Sequence, residues 1–159
     1  MSEIAAEVIP EPLDPTLGAA SAIPGHFWAV AIVSLLWNAF GAYDYTMTQL
    51  GDAEYLAQFT PEQRAFFASF PGWLTVFWAL GVWGSMAGSV LLLLRSRRAV
   101  AAFQVSLLGL AVSTVAQFTM TMPESLRTPA MMAMNVVIWA SLLFFLWYAA
   151  QMRDRGVLR

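Results

Sequence analysis

Four uninterrupted apolar stretches, at 27–46, 72–94, 99–121 and 130–151, set the terms for any fold this chain can adopt. Each is close to the roughly 20 residues that carry an α-helix across the hydrocarbon of a bilayer, and they contain a single acid, Asp44. Backbone polar groups in hydrocarbon must find partners within the chain, so helix is the form such stretches take. Hydrophobic side chains make up 59% of the chain and charged ones only 11%, where a soluble domain has about 25% charged. The expected fold is therefore all-α: an integral membrane four-helix bundle over 27–152, with an acidic, proline-rich tail at 1–26 and a basic segment at 153–159.

Arginine sets the expected orientation, because the chain has no lysine. Alternating spans bring Arg95, Arg97, Arg98, Arg153, Arg155 and Arg159 to one side and leave Arg64 and Arg127 on the other. The positive-inside rule then makes both termini cytoplasmic and the 47–71 and 122–129 loops external. Residues 1–26 hold Glu3, Glu7, Glu11 and Asp14 but no basic residue, so the positive n-region of a signal peptide is missing. Pro10, Pro12, Pro15 and Pro24 argue for a flexible tail instead. His26 stands beside Phe27 and Trp28 and reads as an interfacial residue.

The first span has two unlike sides. At about 100° per residue, Ser34, Trp37, Asn38, Gly41, Asp44, Tyr45 and Thr48 fall within one arc, while Ile32, Leu35, Leu36, Phe40 and Met47 lie outside it. In the loop that follows, Thr60-Pro61-Glu62-Gln63 has the capping-box pattern, and Phe66, Phe67 and Phe70 come after it. This predicts a short amphipathic interfacial helix, resting on the outer leaflet or lying over the mouth of the bundle. In the second span Gly81, Gly84, Ser85 and Gly88 share a narrow face. Gly84 and Gly88 have the spacing that lets two helix backbones approach closely. The partner is either another helix of the chain or a second copy.

Counting along the spans puts Asp44, Gln117 and Asn135 at similar depth in the outer half of the membrane, with Tyr45, Thr48, Thr121 and Trp73 nearby. Polar groups in hydrocarbon cost several kcal/mol unless paired. They are therefore expected to converge, either as a ligand site or as interhelical hydrogen bonds. Met47, Met120, Met122, Met131, Met132 and Met134 also collect at the outer ends. Thioethers suit Cu(I), yet methionine is also an adaptable packing residue, and external copper handling is a minor alternative. The absence of cysteine rules out thiolate sites. No phosphate loop, paired-histidine spacing or Ser/His/Asp pattern is present, and no basic groove for nucleic acid. The expectation is a non-enzyme without a cofactor.

Trp37-Asn38-Ala39-Phe40-Gly41-Ala42-Tyr43-Asp44-Tyr45-Thr46-Met47-Thr48-Gln49, then Phe59-Thr60-Pro61-Glu62-Gln63, Phe70-Pro71-Gly72-Trp73 and Trp78-Ala79-Leu80-Gly81-Val82-Trp83-Gly84, resemble a group of small bacterial four-span inner-membrane proteins often labelled "sugar transporter". The likeness covers roughly 27–98. It implies a carrier or binder of a small sugar-like solute, with Asn38, Asp44, Gln117 and Asn135 bonding hydroxyls and Trp37 or Tyr45 covering the apolar face of the sugar. So few helices would need a dimer for transport, and the glycine face is one candidate interface. The competing expectation is an accessory subunit or assembly factor of a larger membrane complex. A carrier predicts a cavity bordered by Asp44 and Asn135; an accessory subunit predicts a core packed shut.

Overall fold

The computed structural model describes residues 23–159, and the tail expected over 1–26 falls almost wholly outside them. Four long helices dominate: α1 (Phe27–Leu50), α4 (Gly72–Leu93), α5 (Arg98–Thr119) and α6 (Pro129–Asp154), with the short α2 (Ala53–Leu56) and α3 (Pro61–Ala68) between the first two. All four long helices have the length and apolarity to cross a membrane, which makes this a small polytopic membrane protein. A single 3-10 turn, Glu124–Leu126, lies in the last loop.

Helix ends follow local chemistry. α1 runs to Leu50 and closes at Gly51, whose φ of 69° only glycine adopts without cost. The Gly51 amide donates to Thr48 O and that of Asp52 to Met47 O, the paired bonds of a Schellman end. α3 carries the expected capping box, with Thr60 and Gln63 satisfying each other's backbone amides. Thr128 caps α6 by accepting from the Met131 amide at 3.2 Å.

The long helices pack in the order α1, α4, α5, α6. The tightest seam joins α4 and α5. A Cβ on Gly109 would lie 2.3 Å from Gly81 N and 2.6 Å from Phe77 O, and one on Gly84 would lie 3.0 Å from Ser106 N. Gly81, Gly84 and Gly88 therefore serve α5 of the same chain, and the Ser106 hydroxyl donates to Gly81 O across the seam. Ser85 turns its hydroxyl to Val82 O of its own helix.

The core is one-sided. Phe27, Leu92, Val100, Phe103, Phe145 and Met152 belong to a single buried cluster at the end where α4 turns into α5. Here α1 also reaches α6 through the stacked rings of Phe27 and Tyr148, 6.4 Å apart. At the opposite, loop-bearing end α6 loses its packing: its buried residues begin only at Leu142, and all of 129–138 is exposed. The bundle is shut at the arginine-rich end and open between α5 and α6 at the loop end.

Candidate functional site

The polar residues expected to meet at one place are divided among three. Asn38 is buried and donates to the Ser89 hydroxyl at 2.8 Å, with the Ser34 and Ser89 oxygens 2.7 Å apart and Ser89 bonding back to Ser85 O at 3.0 Å. This network holds α1 to α4. The sequence signal for Ser89 was its place one turn beyond Ser85, beside the glycine face.

Asp44 takes the second place. Its Oδ1 accepts a hydrogen bond from the Tyr55 hydroxyl of α2, so the one acid of the spans serves a loop helix. Tyr55 is positioned by Asp52, which caps α2 by accepting from the Tyr55 amide at 2.7 Å. Around the pair runs a chain of rings, Tyr43 to Tyr55 at 5.7 Å, Tyr55 to Phe59 at 5.8 Å and Phe59 to Phe67 at 5.8 Å. Phe67 and Phe70 then meet Trp78 of α4, at 6.2 and 5.8 Å, and Tyr45 packs edge-on against the same indole at 5.0 Å. These rings join α3 to α4, and Gln63 Nε2 also donates to Ser125 O of the last loop at 3.0 Å. Trp37 packs against the buried core.

Burial, then the hydrogen bond to Asp44 and its charge, push the Tyr55 phenol up from its ordinary 10.0 to about 12. A raised phenol pKa means that the fold favours the neutral form. The resulting stability is complete below about pH 10 and is lost as pH rises toward 12. The near-ultraviolet phenolate titration of the wild type minus that of Tyr55→Phe should have its midpoint near 12. Asp44→Asn should move that midpoint part of the way back, since burial remains; an unchanged midpoint would contradict the pairing.

Gln117 and Asn135 form the third place. They face a shared recess of about 30 Å³ between α5 and α6, together with Thr114, Phe118 and Met122. This corrects the expected cavity: Asn135 is matched with Gln117, and Asp44 is absent from the lining, because α4 stands between α1 and α5. The volume is on the scale of two water molecules, whereas small-molecule sites occupy about 300–1,000 Å³. A larger groove of about 430 Å³ runs along the outside of α5, lined by Trp73, Ala111, Val112, Val115, Ala116 and Thr119. Its walls are almost wholly apolar, and sugar hydroxyls placed there would go largely unpaired.

Met131, Met132 and Met134 are exposed and point in different directions around α6, about 100° apart per residue. Among the described residues no group of three His, Asp or Glu is arranged to hold a metal ion. Comparison with protein-family models, with curated proteins and with solved structures finds no match to this chain.

Proposed function

We propose that this protein is a non-catalytic accessory subunit of a larger membrane complex, seating an apolar helix of a partner protein in the open angle between α5 and α6. One observation carries the reading: α6 is buried only from Leu142 onward, while its other half holds an exposed carboxamide, Asn135. At 1.5 Å per residue Asn135 lies about 9 Å inside the start of the helix, within hydrocarbon. An exposed carboxamide at that depth costs several kcal/mol unless something bonds it. Lipid tails cannot. A partner helix with a polar side chain at matching depth can, and it would also cover Met131, Val136 and Ile138.

The engagement of Asn38 and Asp44 supports the same reading, because Asn38 donates inside the chain and Asp44 accepts from the loop. Arginine clustering at the turn before α5 and after α6 supports a cytoplasmic position for that end, in a bacterial inner membrane as the resemblance implies. The test is a native-mass measurement on particles gently extracted from the source membrane. The expected result is a hetero-complex that Asn135→Leu weakens about 3- to 30-fold, the range for one interhelical hydrogen bond of about 0.6–2 kcal/mol. A free chain or a homo-oligomer, or sugar uptake by the pure protein in proteoliposomes, would overturn the proposal.

A further inference from the structure

The arginine-rich end holds a cluster that helix packing does not explain. Three of its members are joined through the backbone: the Arg97 amide donates to Arg159 O at 3.0 Å, and the Arg159 amide to Arg95 O at 2.7 Å. Two side chains are also tied down. Arg95 Nε donates to Val157 O at 3.1 Å and Arg97 Nε to Leu158 O at 3.2 Å. Each bond uses one of five guanidinium N–H donors and fixes the direction of the rest. Arg98 follows at once, exposed at the start of α5. Asp154, the side-chain carboxylate described at this end, is engaged by Arg153 at 2.9 Å. Arg95, Arg97, Arg98 and Arg159 thus stand together without a side-chain carboxylate against them among the described residues.

We infer that this cluster binds the phosphodiester headgroup of an anionic phospholipid. Guanidinium forks match phosphate oxygens two at a time, and two of the forks are already held in place, so less freedom is lost on binding. The cluster sits where α4 and α6 end and α5 begins, and the ends of membrane-spanning helices lie at headgroup level. Directly beneath it, Val90 and Leu94 are exposed and offer a wall for an acyl chain. Trp28 and Trp147 are exposed toward the same end, where indole rings favour the headgroup region. A free phosphate would use only the guanidiniums. A zwitterionic lipid would bring its ammonium against them.

The experiment is lipid retention by native mass spectrometry after reconstitution in phosphatidylcholine vesicles containing phosphatidylglycerol, with inorganic phosphate as a competing arm. Wild type should retain phosphatidylglycerol over phosphatidylcholine, and inorganic phosphate at equal concentration should not displace it. Arg98 and Arg159 have exposed side chains, so Arg98→Gln with Arg159→Gln should leave the fold intact and weaken retention about five-fold per arginine, or about 25-fold together. Arg98→Lys with Arg159→Lys should restore part of it, since lysine returns the charge without the bidentate fork. Equal retention of both lipids, an unchanged glutamine double variant, or displacement by inorganic phosphate would each overturn the inference. If the glutamine variant did not fold, the wild-type lipid preference and the phosphate arm would still decide it.

Discussion

Gly109→Ala is expected to lower unfolding stability by about 3 kcal/mol, the upper end of the range for overpacking a filled core. The reason is what the new methyl meets. Its positions 2.3 Å from Gly81 N and 2.6 Å from Phe77 O are set by backbone atoms of α4, so no side chain can rotate away and the helix axes must move apart. Gly88→Ala should cost less, since the obstacle at 2.7 Å is the ring of Phe103. Gly41→Ala has open space around it and should be neutral or stabilising by up to about 1 kcal/mol through helix propensity. Equilibrium unfolding of the three variants in mixed detergent checks the order. Equal effects would mean that the α4–α5 seam is not as close as described.

Leu158→Ala should be comparably damaging, at about 2–5 kcal/mol. Val157 and Leu158 are fully buried against the core although they follow the last helix. They lie beyond the span, where the alternative to burial is water, so the hydrophobic effect acts on them in full. They also support a strained turn. Arg95 has φ 56°, an arrangement that costs a non-glycine residue on the order of 1–3 kcal/mol. The carbonyl of Val157 accepts from its Nε, and its own carbonyl accepts from the Arg159 amide. Leu94→Ala, 70% exposed on the same turn, should change stability by less than about 0.5 kcal/mol. The same unfolding measurement compares the two, and equal losses would show that the C-terminal segment is not docked.

What could be read from the chain and what could not divide along one physical line. The four spans were legible because length and apolarity decide them, and the start of α3 was legible because Thr60 and Gln63 carry a local motif. The glycine face of α4 was legible as a seam, though its partner was not. Depth in the membrane can be counted residue by residue, so Asp44, Gln117 and Asn135 were placed at similar heights. The order in which the helices pack cannot be counted, and it separates Asp44 from the other two by placing α4 between α1 and α5. Its partner, Tyr55, came from the short helix before that motif, where the Asp52 cap was the local signal. Burial of Val157 and Leu158 had no signal at all, since Gly-Val-Leu-Arg after an arginine-bearing helix end reads as a solvated tail.

The division of the polar residues is the claim on which the functional reading stands, and a chain without cysteine makes it directly measurable. Cysteine pairs introduced at 44 and 55, 117 and 135, and 44 and 135 can be treated in native membranes with a short bifunctional maleimide. The first two pairs should link efficiently and the third should not. Efficient linkage between 44 and 135 would reunite the acid with the carboxamide in one pocket, and the account of a closed subunit with an open α5–α6 seat would be wrong.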